Sequence, residues 1–224
     1  MPSLATVSPE SPFVLHSSAP LSEAVTAMVW SLGAEAIVGC ADGRLYRFDA
    51  NGGQAEEWAG HEGGVTRLVR KPGDRDFIAS AGEDGRVRLW DLSAGCTGET
   101  LLDENDWIEH LEWTPDGEVL AAAARKTISL WRGRESLGMW YDARRRVLAM
   151  AWAPDGKRLA TASNKGLFLW RMGDSVSGSA EPVQLLTFPG APVSVAWHAR
   201  GAALAVGTQD GFLQVWRPAV AGGK

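Results

Sequence analysis

Three side chains on two predicted β-strands could carry acid–base chemistry. Arg67 lies in the strand that begins at Val65, and Glu109 is followed directly by His110 in the strand that begins at Ile108. If the two strands face a common central channel, a carboxylate, an imidazole and a guanidinium there could serve a hydrolase or bind a small ligand. Because only two neighbouring segments supply these groups, a solvated salt bridge is the simpler interpretation, and the enzyme is the alternative.

The sequence contains none of the common catalytic or metal-binding motifs. It has no Gly-x-Gly-x-x-Gly, no Gly-Lys-Ser/Thr, no His-Glu-x-x-His and no Cys-x-x-Cys. The four histidines fall in different parts of the chain, at His16, His61, His110 and His198. The two cysteines, Cys40 and Cys96, lack the spacing of metal ligands. We therefore expect no catalytic residue, no metal and no cofactor.

The elements that must position any site are copies of one three-stranded unit. Residues 61–91 contain three short runs of β-branched, aliphatic or small residues, separated by turns at Pro72-Gly73 and Asp84-Gly85. This punctuation predicts three antiparallel strands joined by tight hairpins. A three-stranded meander cannot bury both of its faces, so it needs similar sheets on either side.

Four further copies align on the aromatic residue that closes the unit. The closing aromatics are Phe48, Trp90, Trp131, Trp170 and Trp216, separated by 42, 41, 39 and 46 residues. These steps are close to the ~40–45 residues of one propeller blade. Six residues before the closing aromatics stand Asp42, Asp84, Arg125, Asn164 and Asp210, and the first strands end at Trp30, Arg70, Trp113, Trp152 and Trp197. Five matches to one template predict five equivalent sheets around one axis.

Tryptophan and alanine have complementary places in these units. The second strands are rich in Ala, Ser and Gly, as in residues 121–124 and 160–163. Such thin strands can receive large side chains from the neighbouring sheet. We therefore expect eight tryptophans to be packing residues, namely Trp30, Trp90, Trp113, Trp131, Trp152, Trp170, Trp197 and Trp216.

The repeated unit resembles the Trp-Asp (WD40) repeat family over about residues 12 to 217. The resemblance rests on His61, Val65, Asp84, Trp90 and Asp91, with the hairpins after Trp113 and Trp152. It implies a β-propeller in which the matching histidine bonds within its own blade, near the position of Asp84. Only one unit carries both Gly60-His61 and Trp90-Asp91. Family members commonly have seven blades, and this sequence supplies five.

The predicted fold is all-β, a β-propeller of five four-stranded antiparallel blades. We expect a flexible leader at 1–11, the propeller at 12–217 and a tail at 218–224. The five units span 21–49, 59–91, 103–131, 144–170 and 190–216. A brief strand at 13–16 could close the ring as the outer strand of the last blade. Alternatively, the five units are part of a seven-unit ring that is completed by another chain or truncated.

Charged residues of opposite sign are concentrated in two consecutive stretches. Residues 99–118 contain eight acidic and no basic side chains, and residues 125–146 contain seven basic and two acidic ones. Loops that share one rim of a propeller would bring together Asp103, Glu104, Asp106, Trp107, Arg125, Lys126, Arg144, Arg145 and Arg146. An exposed Trp beside Arg has the composition of an interface hot spot. The alternative is a solvated surface on which Trp107 folds over its own blade, stacked by Arg146.

Length and composition favour one domain-sized unit. The chain has 224 residues, 45% of them hydrophobic, and a net charge of −5. No apolar run approaches the ~18 residues of a membrane span, and no basic segment leads into an apolar one as in a secretory signal. Two cysteines without metal spacing indicate a reduced, cytoplasmic setting. The negative charge argues against nucleic-acid binding.

The function that these patterns predict is a non-enzymatic scaffold. Its partners would be proteins, which bind the rim of blades three and four through charge complementarity around Trp107. We expect no nucleic acid and no membrane among its partners, and a monomer if the ring closes. The alternatives are a propeller hydrolase or ligand-binding protein that uses Arg67, Glu109 and His110, and an incomplete part of a larger propeller.

Overall fold

The repeats form short antiparallel strands because apolar residues alternate between turns of Gly, Pro and Asp. The computed structural model describes residues 15–104, 106–141, 146–172 and 182–217. All of the regular structure in these residues is β, in five antiparallel sheets that follow one another along the chain. We call each sheet a blade and number the blades in chain order. The predicted all-β fold of five repeated sheets is confirmed.

Each blade is a meander in which consecutive strands are neighbours. Blade one contains β1 (Val25–Trp30), β2 (Ala36–Cys40), β3 (Arg44–Phe48) and β4 (Gln54–Ala59). Blade two contains β5 (Val65–Arg70), β6 (Phe77–Gly82), β7 (Arg86–Asp91) and β8 (Thr97–Asp103). Blade three contains β9 (Ile108–Trp113), β10 (Leu120–Ala124), β11 (Thr127–Arg132) and β12 (Glu135–Tyr141). Blade four contains β13 (Ala149–Trp152), β14 (Arg158–Ser163), β15 (Gly166–Arg171) and β16 (Gln184–Leu186). Blade five contains β17 (Pro192–Trp197), β18 (Leu204–Thr208) and β19 (Leu213–Trp216), so it has three strands among the described residues where four were predicted.

The strand register repeats from blade to blade. In blade three, Leu120 of the second strand lies opposite Trp113 of the first strand and Trp131 of the third. Blade four places Leu159 opposite Trp152 and Trp170 in the same way. Blade five repeats the pattern with Leu204 between Trp197 and Trp216, whereas blade two has Arg70 at the first-strand position. The closing aromatic therefore occupies the same register in each of these sheets, which explains why the closing aromatics align in the sequence.

The Asp-Gly hairpins between second and third strands need glycine. Gly43 has a φ of +83° and Gly85 a φ of +74°, a conformation that is strained for other residues. A Cβ added at Gly85 would also collide with the carbonyl of Glu104. In blade three, where no glycine is present, Arg125 takes the positive φ at 45°. The hairpin signal in the sequence therefore has a conformational cause.

Neighbouring blades pack through two kinds of face. The face toward the preceding blade, which we call the leading face, carries the large aromatics, such as Trp152 and Trp170 of blade four. The face toward the following blade, which we call the trailing face, carries small and aliphatic residues, such as Ala121, Ala123 and Ile128 of blade three. These side chains share one core between blades three and four. Thin strands receive tryptophans at this joint as predicted.

The two ends of the blade series depart from the expected packing. Trp30 at the end of β1 is exposed, although the sequence predicted that it would be a packing residue. It occupies the leading face of blade one, which has no preceding sheet in the described chain. The described part of the predicted latch, Leu15 and His16, belongs to no strand and lines a cavity beside blade one. Phe13 and Val14 lie outside the described residues, so closure of the ring stays a prediction.

Both cysteines are buried in the blades, and their chemistry gives a first testable prediction. Burial raises the pKa of the Cys96 thiol to about 12, assisted by Glu56, whose Oε2 accepts a hydrogen bond from Sγ at 2.7 Å. Burial also raises the pKa of Cys40. Because the thiolate is the reactive form, we expect both thiols to react with DTNB at pH 8 at least about 100-fold more slowly in the native protein than after unfolding. Rapid release of thionitrobenzoate from the native chain would contradict this prediction.

None of the described residues forms a helix with the length and apolarity needed to cross a membrane.

Candidate interaction surface

Two kinds of loop share one end of the blades, which we call the entry rim. They are the loops that lead into each first strand and the hairpins between second and third strands. Backbone hydrogen bonds join them: Glu83 N donates to Gly64 O at 2.9 Å within blade two. Val147 N, at the entrance to blade four, donates to Arg125 O of the blade-three hairpin. The entry rim is therefore a continuous surface that crosses the joints between blades.

A cavity of about 440 Å³ lies at the centre of the entry rim, where the first strands of several blades begin. We call it the rim cavity. Its lining is formed by Thr26, Val65, Thr66, Arg67, Glu83, Trp107, Glu109, His110, Arg146, Val147 and Leu148. The two sets of residues that the sequence offered as alternatives, one on the rim and one in the channel, thus meet in one place.

The acidic and imidazole groups of the rim cavity are already engaged. Arg146 binds the Glu109 carboxylate through two nitrogens, with Nε 2.7 Å from Oε2 and Nη2 in contact with Oε1. His110 Nε2 lies 3.1 Å from Val147 O and so donates to it. Burial lowers the pKa of His110, which favours the neutral imidazole. A free general base next to a free carboxylate, as a hydrolase would need, is not formed by this pair.

Arg67 and Trp107 are the groups of the rim cavity that remain available to a ligand. No carboxylate lies within ion-pair distance of the Arg67 guanidinium in the described chain, and its Nη1 donates to Thr66 O at 3.0 Å. The Trp107 side chain is 56% exposed. Arg146, which would stack on Trp107 in the alternative interpretation, binds Glu109 instead, and no described cation lies over the Trp107 ring. An exposed indole near an unpaired guanidinium suits recognition of another molecule.

The other predicted rim residues are placed around this cavity or away from it. Asp106 Oδ1 lies 3.3 Å from Arg125 Nη1, and Lys126 follows in the same hairpin with its side chain exposed. Asp103 requires a correction, because it is the last residue of the outer strand of blade two, whereas Glu104 follows it in the loop that leads into blade three. The strand β8 extends to Asp103, and pairing with β7 brings its Oδ2 to 3.3 Å from Arg86 Nε. Arg144 and Arg145 lie outside the described residues.

Glu104 continues this contact with blade two through its backbone. Its N–H donates to Gly85 O at 3.0 Å, across the hairpin that also contains Asp84. The acidic stretch is therefore divided between two blades, and only its later part reaches the rim cavity. The signal that sequence reasoning lacked was the exact end of the outer strand, since strand ends vary by one or two residues.

Histidine 61 is buried within blade two in a chain of hydrogen bonds. Trp90 Nε1 donates to Ser80 Oγ at 2.8 Å, and Ser80 Oγ lies 2.7 Å from His61 Nε2. His61 Nδ1 lies 2.8 Å from Asp84 Oδ1. Since Ser80 accepts from Trp90, its hydroxyl hydrogen is directed to Nε2, and Nδ1 carries the proton donated to Asp84. These four residues form what we call the blade-two network, and its position inside the sheet is structural.

Opposing effects act on the pKa values of the blade-two network. Burial lowers the pKa of His61 more than its bond to Asp84 raises it. Burial alone would raise the pKa of Asp84, but the hydrogen bond and charge of His61 and the backbone N–H groups of Glu62 and Arg86 hold it below its usual value.

Asp91, next to Trp90, caps the following turn by accepting a hydrogen bond from the Ser93 hydroxyl at 2.7 Å.

Two members of the rim cavity were not identified from the sequence. Thr26 comes from the start of blade one, and Glu83 from the hairpin of blade two, where its Oε2 accepts a hydrogen bond from Gly64 N at 3.2 Å. Both lie at repeat positions that carry no unusual residue type. Only the packing of the first strands around one axis brings them next to Trp107.

The sequence pattern described as WD domain, G-beta repeat, matches residues 53–91, 136–171 and 182–217. These matches run from about β4 to β7, from β12 to β15 and from β16 to β19. Each repeat therefore supplies the outer strand of one blade and the three inner strands of the next. Such an offset links neighbouring sheets through the chain itself.

Three curated relatives illustrate the extent of the similarity. WD repeat-containing protein AAC3 of Dictyostelium discoideum is 34% identical over 70 residues, which are 31% of this chain and 14% of that protein. DDB1- and CUL4-associated factor 13 of the same organism is 31% identical over 75 residues, 33% of this chain and 17% of that protein. Small ribosomal subunit protein RACK1 of Brassica napus is 30% identical over 158 residues, 70% of this chain and 40% of that protein.

The similarity covers less than half the length of each of these relatives. The offset strands, the five repeated sheets and the blade-two network all agree with the repeat pattern that matches. The chain belongs to the WD repeat family.

Proposed function

We propose that this protein is a non-enzymatic scaffold that binds protein partners at the rim cavity. The observation that carries the proposal is the exposure of Trp107 beside Arg67 in a cavity where the other ionisable groups are engaged. Trp and Arg are the residue types that most often dominate the energy of an interface. A partner side chain that fills the cavity would remove the indole from water and stabilise the complex.

The free guanidinium defines the chemistry of the partner. A carboxylate can pair with Arg67 through two parallel hydrogen bonds, which adds geometric specificity to the attraction. We therefore propose that the partner inserts an Asp or Glu side chain toward Arg67, with apolar contacts to Trp107. The neighbouring pair of Asp106 and Arg125 is exposed, so it would affect the rate of association and the orientation more than the affinity.

The relatives support a role in assemblies. One is named as a factor associated with DDB1 and CUL4, and another as a protein of the small ribosomal subunit. Both printed names place these relatives in association with other macromolecules. As part of the same proposal we place this scaffold in the cytoplasm, where two buried free thiols such as Cys40 and Cys96 are stable.

Replacement of Trp107 and Arg67 tests the proposed site. Partners captured by the tagged wild-type protein are identified, and the affinity of each is then measured by calorimetry. We expect Trp107→Ala and Arg67→Gln each to weaken a rim-bound partner by about 30-fold, because hot-spot side chains contribute about 2 kcal/mol or more.

Two matched controls make this experiment specific. Glu83→Gln removes the negative charge of another cavity residue, and we expect it to leave the affinity unchanged or to raise it. Arg134→Gln changes an exposed arginine in the turn between β11 and β12, at the end of β11 opposite the rim hairpin. Partners that bind both Trp107→Ala and Arg67→Gln as tightly as the wild type would refute the proposed site.

The enzyme alternative makes a different demand on the same cavity. Hydrolysis would require His110 or Glu109 to exchange a proton, whereas binding requires only that the cavity keeps its shape. A turnover that disappears in His110→Asn while partner affinity stays within about twofold would favour the enzyme.

A further inference from the structure

The leading face of blade one presents tryptophan and methionine to solvent. Trp30 is 62% exposed, whereas its repeat equivalents Trp113 and Trp152 are 6% and 5% exposed. Met28, two residues earlier, is exposed as well, and its equivalent Leu111 is buried. The residue types are those of an interior joint, but no sheet of the described chain lies in front of them.

The trailing face of blade five shows the same departure at the other end. Leu213 is 72% exposed, whereas Val87, Ile128 and Leu167, three residues before their own closing tryptophans, are all 0% exposed. Val215 on the same face is exposed too. Large side chains at buried repeat positions thus remain in water at both ends of the series.

These two exposed faces carry the residue types of the two halves of an internal joint. At two of the joints between blades, the tryptophan that ends a first strand donates Nε1–H to the carbonyl just before the corresponding residue of the preceding blade, whereas Trp113 Nε1 has no partner in the described chain. Trp152 donates to Glu112 O at 3.4 Å, and Trp197 donates to Ala151 O at 3.1 Å. The next carbonyl in this series is that of Ala196 in blade five, and the only first-strand tryptophan without a preceding described blade is Trp30.

The inner strands of both end faces lack the charges that usually protect an exposed sheet, and on blade one such charges occur only farther out, at Arg44 and Glu57. The strands β1, β2, β17, β18 and β19 contain no Asp, Glu, Lys or Arg. Natural proteins commonly place charged residues on sheet surfaces and edges that stay in solvent. Residues 15–19 and Leu21 line a cavity over the outer part of the leading face, and blade five has only three strands among the described residues.

We propose that a second copy of this chain covers these faces, with the leading face of blade one packed on the trailing face of blade five in a head-to-tail contact. In this contact Trp30 of one copy inserts against the thin second strand of the other, at Ala205 and Gly207, and donates Nε1–H to Ala196 O. The same pairing of aromatic and small residues holds the internal joints together. Because each copy offers both faces, association forms either a closed ring or a longer oligomer. This inference is independent of the rim cavity.

The mass of the full chain in solution tests the proposal. Light scattering after size exclusion, over a concentration series, is expected to show species of at least twice the 24.0 kDa chain mass. Trp30→Glu blocks the leading face and Leu213→Glu blocks the trailing face, so each variant alone is expected to be a monomer. Mixed together, they retain one intact face each, and we expect them to form a one-to-one dimer and nothing larger.

Additional variants separate this contact from other effects. Met28→Lys and Val215→Lys should reproduce the two monomers, and circular dichroism shows that each variant is folded. Trp107→Glu changes an equally exposed tryptophan of the rim cavity, and it should leave the mass unchanged. A wild-type monomer at all concentrations would overturn the proposal, and acrylamide quenching would then show whether its own ring has closed over Trp30. Failure of the two blocked variants to complement each other would overturn it as well.

Discussion

Replacing His61 with alanine is expected to lower the free energy of unfolding by about 3 kcal/mol. The imidazole is buried and bridges Ser80 and Asp84 at 2.7 and 2.8 Å, so its loss removes the acceptor of the Ser80 hydroxyl hydrogen and one donor to the Asp84 carboxylate. Each unpartnered buried polar group costs about 1–3 kcal/mol, more when it is charged, and the cavity left by the ring adds to this. Asp84 keeps the N–H groups of Glu62 and Arg86 and the guanidinium of Arg88, which limits the total.

Urea denaturation followed by fluorescence measures the effect of His61→Ala. His198→Ala is the matched control, because that side chain is exposed and its loss should change stability by less than about 0.5 kcal/mol. Trp90→Phe removes only the first donor of the blade-two network, and we expect it to lower the free energy of unfolding by about 1 kcal/mol. A stability of His61→Ala equal to that of His198→Ala would mean that the network does not stabilise blade two.

The network also has a pH dependence with a definite sign. The pKa of His61 is depressed in the folded state by burial, so the folded protein binds its proton less readily than the unfolded chain. The corresponding stability is present above the unfolded pKa of about 6.5 and is lost as the pH falls through that region. His61→Ala should therefore lose less stability than the wild type between pH 7 and pH 5.

The repeats could be predicted because local signals set them. Asp-Gly pairs require positive φ at Gly43 and Gly85, and the closing tryptophans share one register, so both features are visible in the sequence. Blade three shows where this local signal weakens, since Arg125 takes the left-handed conformation without a glycine. The closing Trp131 still identified that blade, because packing between sheets needs the aromatic residue even where the hairpin varies.

The contents of the rim cavity could be predicted only in part. Trp107 and Arg146 were found because an exposed Trp beside Arg has the composition of an interface, and the channel residues because three groups suited to acid–base chemistry lie on first strands. The ion pair between Arg146 and Glu109 was not predicted, because it crosses from blade four to blade three and depends on the distance between the sheets. The contact of Asp103 with Arg86 depends in the same way on where β8 ends.

The exposure of the end blades could not be predicted from the repeat pattern. A repeat assigns the same environment to every copy, so Trp30 was expected to be buried like Trp113. The first and last copies of any series have one neighbour fewer, and their outer faces are decided by closure or by a partner. The same local sequence therefore gives a core residue in one blade and a surface residue in another.

The joint between blades three and four contains a carboxyl group in an unfavourable environment. Glu112 on β9 is largely buried, and its Oε2 has no hydrogen-bond partner in the described chain. Desolvation by burial raises its pKa to about 7. The backbone carbonyl of the same residue accepts the hydrogen bond of Trp152 Nε1, so the side chain is held at the contact between the two sheets. At neutral pH this joint is close to the midpoint between a neutral and a charged state.

We expect Glu112→Gln to stabilise the protein at pH 8.5 by about 2–3 kcal/mol and to change it little at pH 4.5. The pKa of Glu112 in the folded protein lies above its unfolded value of about 4.3. The stability contributed by the protonated carboxyl is therefore fully present below pH 4.3 and is lost as the pH rises through about 7. Glutamine has nearly the same shape and no charge, so the variant lacks this loss. Urea denaturation of both proteins at a series of pH values gives the difference, in which the titrations of His61 and His110 cancel.

Glu118→Gln is the control for this last experiment, because Glu118 is an exposed carboxylate just beyond the same first strand. Its stability should follow that of the wild type at every pH, within about 0.5 kcal/mol. Parallel curves for Glu112→Gln and the wild type from pH 4.5 to 8.5 would show that Glu112 reaches water in the folded protein. A difference that grows with pH instead would mean that the joint between blades three and four loosens as this one carboxyl ionises, since the charge has no partner there.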